Sequence, residues 1–281
     1  MEAYSSRRRS SVLAATLAVA AFGDAALFAG FAHAAVVYQD DFARTGPLAG
    51  SIPSPTTVGT TAWSTQTTES TSFNTTAANV ANGTTNELVE TATSSGAGSA
   101  YLPYTMPSTG TTTISAAIEV GASTEIGSNG YGWAGLGFMT DSSHAEMTYN
   151  NSPWWYVNSD GGVATFYAGA NSVPGVTLSP IANFSNTSFY DFAVSYDAAT
   201  RTASWYEGST LEATYTYTST TAPAITDVVT GLFGSNTSNG VTVNVQNFIV
   251  QTRPVPEPSA LGLMAMGSLG VLLLGRRRKP A

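Results

Sequence analysis

The sequence predicts an all-β fold in which two antiparallel sheets pack as a sandwich. Three observations lead to this prediction. Apolar residues alternate with small polar ones, Thr, Ser, Gly and Asn dominate the middle of the chain, and no segment has a convincing helical pattern. A period of two puts successive side chains on opposite faces of a strand, one buried and one in water. About a dozen short strands at regular spacing are typical of a sandwich.

Two segments show the alternation most clearly. In TTTISAAIEVGA (111–122) the apolar residues fall on one face: Ile114, Ala116, Ile118 and Val120. Residues 189–208 predict a hairpin, because an alternating strand is followed by turn residues at 197–200 and by a second strand. Glu207 and Gly208 then mark a second turn.

The last strand of the middle region is expected to be irregular. Residues 240–252 alternate at first and then shift register around Asn247 and Phe248, which predicts a bulge or a strand end. The other predicted strands are 36–42, 62–66, 87–93, 131–140, 154–158, 163–168, 211–218 and 227–234. The weakly apolar segment 67–98, rich in Thr, Ser, Asn and Gly, is expected to be a long surface excursion.

Three stretches of the middle region look like parts of a concanavalin A-like jelly roll. They are VYQDDFARTGPLAGSIPSPTTVGTTAW (37–63), the hairpin YDAATRTASWYEG (196–208) and the closing strand VQNFIV (245–250). The resemblance implies a two-sheet antiparallel jelly-roll sandwich of the lectin and laminarinase architecture. It implies no activity by itself, because one fold serves many functions.

The first 34 residues have the layout of a secretory signal peptide. Three arginines at 7–9 precede an apolar stretch at 12–22, and the small residues Ala32 and Ala34 mark a cleavage site before Ala35. Twin-arginine export is the alternative, although the usual hydrophobic pair does not follow the arginines. Residues 35–252 are then expected to form the sandwich domain.

Residues 253–281 differ in composition from everything before them. Prolines at 254, 256 and 258 favour an extended spacer. Residues 259–275 carry no charge, and a helix of about 17 residues at roughly 1.5 Å each covers about 25 Å, the low end of a membrane span. Four cations follow: Arg276, Arg277, Arg278 and Lys279. Positive residues favour the cytoplasmic side, which leaves the body of the chain outside.

This order of an extended motif, an apolar span and a basic terminus resembles the PEP-CTERM sorting signal of Gram-negative bacteria that make extracellular polysaccharide. The resemblance covers only the C-terminal tail. It implies that an exosortase, a membrane protease, handles the chain near the Pro-Glu-Pro sequence and delivers the body to the envelope or beyond. The recognised residues would be Val255, Pro256, Glu257 and Pro258. They are substrate residues rather than catalytic ones.

The net charge of the body disfavours several classes of binding partner. Residues 36–253 hold 15 Asp and Glu residues against three arginines and no lysine, a net charge of −12. Such a body repels phosphate backbones, so nucleic acid is not an expected partner. It also repels anionic lipid and acidic exopolysaccharide unless divalent cations bridge them. The chain has no cysteine, which excludes disulfides and cysteine-ligated metals.

No sequence pattern predicts a catalytic centre. Laminarinase-type glycosidases place paired carboxylates on one strand as Glu-x-Asp-x-x-Glu, and this chain has no such motif. The nearest pairs, Glu119 with Glu125 and Asp141 with Glu146, lack the alternating spacing and are interpreted as surface charge. The single histidine of the body, His144, adjoins two serines, but triads assemble from distant segments.

Calcium is the metal that the body's oxygen-rich sequence would suit, although ordinary turn chemistry is the alternative at both candidate positions. One candidate is Asp40 with Asp41, and the other is Asn158 with Asp160. A single histidine and no cysteine do not suit a zinc site. No other cofactor is expected.

The sequence YNNSPWWYVNSDGG (149–162) is the candidate glycan-binding site. Sugar sites combine aromatic rings with amides and carboxylates that bond hydroxyls. The candidate residues are Asn150, Asn151, Trp154, Trp155, Tyr156 and Asp160. The alternative is that at least one face is core, since Trp154 and Tyr156 share one side of a strand and Trp155 takes the other. Trp133 and Trp205 are expected in the core.

Together these observations predict an exported, non-catalytic protein of the cell surface or extracellular matrix, associated with exopolysaccharide. Its partners would be signal peptidase, an exosortase-type enzyme and polysaccharide, with the membrane contacted by the C-terminal helix before processing. A lectin-like glycan-binding module is one alternative, and an unfamiliar glycan hydrolase is the other.

Overall fold

A computed structural model of the protein describes residues 34–67, 71–76, 86–92, 96–121, 132–140, 152–166, 176–234 and 241–253. Residues 34–253 form one compact unit. Its described residues form strands, turns and loops. No helix both long and apolar enough to span a bilayer occurs among them. The predicted signal peptide before Ala34 and the predicted helix 259–275 lie outside the described residues.

In chain order the strands are β1 Ala35–Asp40, β2 Gly46–Pro47, β3 Pro55–Thr56, β4 Ser64–Thr67, β5 Thr71–Thr76, β6 Glu87–Ala92, β7 Gly96–Pro103, β8 Thr111–Val120, β9 Gly132–Met139, β10 Trp154–Asn158, β11 Val163–Phe166, β12 Val176–Thr177, β13 Tyr190–Asp197, β14 Thr202–Glu207, β15 Thr210–Thr216, β16 Asp227–Gly234 and β17 Val241–Arg253. They pair antiparallel in two sheets, as the sequence predicts.

The larger sheet contains ten strands in the order β15-β14-β13-β8-β17-β6-β5-β2, and β1 joins it between β17 and β3. Strand β17 pairs with β8 along one edge and with both β6 and β1 along the other. Its register against β8 shifts between Gln246 and Ile249, where Asn247 has a φ of 54°. Asn tolerates this left-handed conformation better than most residues. The predicted bulge is confirmed, and it leaves Asn247 exposed while Phe248 is buried.

The smaller sheet contains seven strands in the order β12-β11-β10-β9-β16-β7-β4. The main core lies between the two sheets and includes the predicted inward residues Ile114, Ala116, Ile118 and Val120 of β8. Burying such a side chain stabilises the fold by about 1.5–3 kcal/mol when it is large. The alternation seen in the sequence is therefore the pattern that fills this core.

Polar side chains also join the two sheets. The indole of Trp155 in β10 donates to the Ala193 carbonyl in β13 at 2.6 Å, and Trp205 in β14 donates to the Trp154 carbonyl at 3.0 Å. The Tyr38 hydroxyl in β1 donates to the Pro103 carbonyl in β7 at 2.6 Å. Each bond satisfies a polar group that the packing of the sheets would otherwise leave unpaired.

The predicted surface excursion over 67–98 is wrong for the parts of that segment that the structure describes. Strand β5 pairs with β6 from Thr71 opposite Ala92 to Thr76 opposite Glu87, and β7 lies between β16 and β4. The small residues Ala97 and Ser99 of β7 are buried. Low hydrophobicity therefore does not indicate exposure here, because β-branched Thr forms strands readily and small side chains suit a crowded sheet.

Candidate functional site

Strand β10 divides the predicted glycan-binding residues between two faces of the smaller sheet. Trp155 points into the main core, where its ring lies 5.2 Å from that of Phe192. Trp154 and Tyr156 lie on the opposite face. The period of two that the sequence suggested for this strand therefore separates the two tryptophans completely.

The opposite face carries an outer aromatic cluster, which consists of Trp133, Met139, Trp154 and Val229 with Tyr101 and Tyr156 packed against them. The Trp133 ring lies 5.3 Å from that of Trp154 and 5.4 Å from that of Tyr156. Gly137 makes this packing possible, because a Cβ there would lie 2.4 Å from the Cβ of Trp154. Both tryptophans expected in the core are buried: Trp205 lies in the main core and Trp133 in the outer cluster.

Burial corrects the predicted glycan-binding role of the two tryptophans. Trp154 is 2% exposed and Trp155 is 0% exposed, so neither ring has a free face on which a sugar could stack. Tyr156 is half-buried, and its hydroxyl donates to Asn158 Oδ1 at 3.2 Å. Asp160 is exposed. Asn150 and Asn151 lie outside the described residues.

At the first calcium candidate, Asp40 with Asp41, the carboxylates accept hydrogen bonds from the protein itself. Both oxygens of the fully buried Asp40 are occupied: Arg44 donates to each at 2.7 Å, the Trp63 indole to Oδ2 at 2.7 Å and the Phe42 backbone to Oδ1 at 2.9 Å. Asp41 Oδ1 accepts from the Ala43 backbone at 3.0 Å. Four donors on one carboxylate leave no oxygen for a cation.

The second calcium candidate also shows turn chemistry. Asp160 Oδ1 accepts from the Gly162 backbone at 2.9 Å, which is the side-chain-to-backbone bond of an Asx turn. Across the described residues, no three His, Cys, Asp or Glu side chains are grouped closely enough to hold a metal. Calcium at Asn158 and Asp160 remains a prediction.

Of the candidate catalytic groups, only Glu119 lies in the described residues, and it accepts a hydrogen bond from Asn244 at 2.9 Å on the outer face of the larger sheet. Burial, together with repulsion from Glu119, raises the pKa of nearby Glu87, while a hydrogen bond with Gln246 opposes the change. Glu125, Asp141, His144 and Glu146 lie outside the described residues.

The sorting residues continue directly from the larger sheet in the sequence. Strand β17 ends at Arg253, and the extended motif begins at the next residue, Pro254. Ala34, the last residue of the predicted signal peptide, is described and exposed. Ala32, residues 255–258 and residues 276–279 lie outside the described residues.

A cavity of about 330 Å³ lies on the outer face of the larger sheet and is open to solvent on one side. We call it the β8–β17 pocket. Its lining includes Thr113 of β8, Ser195 of β13, Tyr206 of β14, and Gln251 and Arg253 of β17. Alternation within each strand shows which residues face outward. It does not show that strands so distant in the sequence are neighbours, so sequence reasoning missed this site.

The comparisons first define the class of the body. It is similar to the carbohydrate recognition domain of Emp47p, with 13% identity, a TM-score of 0.50, and 77% of this chain and 95% of that chain covered. Two further similar structures are lectin II from Ulex europaeus (12% identity, TM-score 0.43, 68% and 92% covered) and a sialidase (10%, 0.44, 67% and 16%). At these identities the likeness concerns the fold alone. The body has a concanavalin A-like jelly-roll fold.

The tail is then identified by its own motif. Residues 254–279 match the model of the PEP-CTERM protein-sorting motif, which confirms the resemblance seen in the sequence. No curated protein matches the chain. The molecule thus combines a lectin-like sandwich with a sorting signal that follows its last strand without an intervening residue.

Proposed function

We propose that this protein is exported, sorted through its C-terminal motif and placed at the cell surface or in the extracellular matrix, where its sandwich associates with exopolysaccharide. The observation that carries the proposal is the sorting motif at 254–279, joined directly to a jelly-roll body. The role is non-catalytic. A body with a net charge of −12 between residues 36 and 253 supports solubility outside the cell and disfavours nucleic acid as a partner.

The proposed route has two processing steps. Signal peptidase cleaves before Ala35, and an exosortase-type enzyme then acts near residues 255–258 while the apolar span 259–275 holds the chain in the membrane. The four cations after that span keep its end in the cytoplasm. The body is released to the surface or the matrix by the second step.

The sorting step is tested by Glu257→Ala in the native host, with Ser259→Ala as a matched control just beyond the motif. We expect Glu257→Ala to leave a full-length form in the membrane fraction, because the enzyme loses the only charged residue of its recognition sequence. The control should be processed normally. Unchanged processing of Glu257→Ala would contradict the sorting proposal.

Association with exopolysaccharide is tested by fractionating the parental host and a strain that cannot make the polymer. In the parental strain the processed protein should remain with the matrix. In the deficient strain it should move into the medium. An identical distribution in both strains would remove the polysaccharide from the proposed function while leaving the sorting step intact.

A lectin-like glycan-binding module is the second candidate. The observation that favours it is the β8–β17 pocket, since concave sites with a few convergent polar groups are where small ligands bind. Saturable binding of a defined sugar would distinguish a lectin from a protein that only packs within the matrix.

A further inference from the structure

The β8–β17 pocket is built from neighbouring strands that present polar side chains to one cavity. Ser195 in β13 faces Thr113 in β8, which in turn faces Gln251 in β17, so the three form one row across the sheet. Tyr206 of β14 and Arg253 at the end of β17 also line the cavity. At about 330 Å³ the cavity is at the lower end of small-molecule sites, which span about 300–1,000 Å³.

The polar side chains that line the pocket do not form hydrogen bonds with one another. Within the part of the chain that the structure describes, the side chains of Thr113, Ser195, Tyr206, Gln251 and Arg253 make no hydrogen bond to another side chain. Ser195 is only 7% exposed and still lines the cavity. Because this hydroxyl has no side-chain partner and lines an open cavity, it can bond a ligand that presents hydroxyl groups.

Arg253 gives the pocket its charge. The body has only three arginines, and Arg44 is held by Asp40 while Arg201 lies exposed in the turn between β13 and β14. Arg253 makes no ion pair among the described residues. The nearest carboxylate in the same cross-strand row is Asp197, which accepts from Thr111 at 3.4 Å and from the Thr200 backbone at 2.8 Å. The guanidinium therefore remains available, and its planar fork fits a carboxylate.

We propose that the β8–β17 pocket binds a saccharide unit that carries a carboxylate, that is, a uronic acid residue within an otherwise neutral glycan. Arg253 pairs with the carboxylate, and the Tyr206 ring packs against the apolar face of the sugar. Gln251, Thr113 and Ser195 bond its hydroxyl groups. This inference rests on the proposed function for its source of ligand, which is the surrounding exopolysaccharide.

The charge of the whole body explains why the uronic acid should be sparse. A net charge of −12 opposes a polymer that is acidic throughout, whereas a single carboxylate pairs with Arg253 and salt screens the exposed charges that lie more than about 10 Å away. Signal cleavage before Ala35 would remove Ala34 from the wall of the pocket and leave a positively charged amino terminus nearby, since Ala35 pairs with Thr252 beside Arg253. The pocket also lies on the other sheet from the outer aromatic cluster.

The test measures binding of a disaccharide of one glucuronate and one neutral hexose to the full chain by isothermal titration calorimetry. The uncharged methyl ester of the same disaccharide is the ligand control. We expect the acid to bind at least about tenfold more tightly than the ester, and Arg253→Gln to abolish this preference. Arg201→Gln makes the same charge change outside the pocket and should retain the preference for the acid over the ester. Tyr206→Ser should weaken both ligands alike.

Two results would overturn the pocket assignment: no binding of the acid by the unchanged chain, or equal effects of Arg253→Gln and Arg201→Gln. Thermal unfolding checks that both variants are folded, and both replaced residues are exposed. The fractionation experiment reports on the proposed function separately. Arg253-dependent binding together with unchanged matrix retention in the polymer-deficient strain would preserve the pocket and reject exopolysaccharide as its partner.

Discussion

Asp40 and Glu90 are both fully buried carboxylates, but their surroundings differ sharply. Asp40 receives four hydrogen bonds, two of them from the guanidinium of Arg44. Glu90, on β6 of the larger sheet, receives one, from the Thr230 hydroxyl on β16 of the smaller sheet at 3.1 Å. Its other oxygen, Oε2, is buried without a partner.

Burial alone therefore does not determine how a carboxylate is hydrogen-bonded. Donors around Asp40 replace the hydrogen bonds that burial takes from water. Glu90 lacks such donors, and burial raises its pKa to about 8 despite the opposing Thr230 bond. The formal charge of −12 counts both groups as ionised, whereas folded Glu90 holds its proton at neutral pH.

The largest expected effect of a substitution at a single pH is the loss of the charge at Asp40. Asp40→Asn leaves the Arg44 guanidinium without its anion and places an amide against groups that donate. Removing one partner of a buried pair should lower the free energy of unfolding by about 3 kcal/mol, measured by denaturant titration. Asp41→Asn is the matched control, because Asn preserves the turn bond to Ala43, and its change should stay below about 0.5 kcal/mol. Equal losses of unfolding free energy in the two variants would show that the four hydrogen bonds to Asp40 do not stabilise the fold.

The next effect concerns the pH dependence at Glu90. The folded protein keeps this proton at pH values where the unfolded chain, with an ordinary pKa of 4.5, has lost it. The contribution of Glu90 to the free energy of unfolding is therefore complete below pH 4.5. Between pH 4.5 and about 8 it falls by up to roughly 1.4 kcal/mol per pH unit, and above this pH window it is lost.

Glu90→Gln should remove this slope, measured as the free energy of unfolding at a series of pH values. A shallower slope should remain, because burial also raises the pKa values of Glu87 and Glu207. Asp191→Asn, which changes an exposed carboxylate, should keep the parental slope. A slope unaffected by Glu90→Gln would mean that the proton is held elsewhere.

The sequence could not distinguish these two carboxylates. The donors to Asp40 include Trp63, which is 23 residues away, and the partner of Glu90 is 140 residues away. Alternation did predict most strands, since it depends only on local periodicity. It also predicted a bulge or a strand end around Asn247, where the alternation breaks, and the structure has a bulge there. The strands β5 and β7 were missed because Thr-, Ser- and Gly-rich segments carry little hydrophobic contrast.

The same limitation applies to the candidate sites. Residues 254–279 were recognisable because their motif is contiguous in the chain. The tryptophans of β10 looked suitable for sugar binding because composition suggests a ligand but does not reveal what packs on each face. The β8–β17 pocket depends on Thr113 lying beside Gln251, a pairing that only the sheet topology establishes.

A smaller effect should follow from removing one neutral donor to the Asp40 carboxylate. Trp63→Phe deletes the indole bond to Oδ2 but retains an aromatic ring near Phe248, whose centroid lies 5.0 Å from that of Trp63. A hydrogen bond to a charged group contributes about 1.5–3 kcal/mol, so we expect a loss of about 2 kcal/mol. In an Asp40→Asn background the same substitution should cost less. Strictly additive losses would contradict a shared site.

The smallest effect should come from Thr230, the one donor to Glu90 among the described residues. Thr230→Val should cost about 1 kcal/mol at pH 6, because the acceptor there is a neutral acid. The Thr230 bond lowers the pKa of Glu90, so its loss should move the upper end of the pH window above about 8. Thr165→Val is the control, since the buried Thr165 hydroxyl has no hydrogen-bond partner and its removal should cost little. If the upper limit of this pH window is the same in Thr230→Val as in the unchanged protein, the Thr230 hydroxyl does not stabilise ionised Glu90. Burial alone would then set the proton affinity of Glu90.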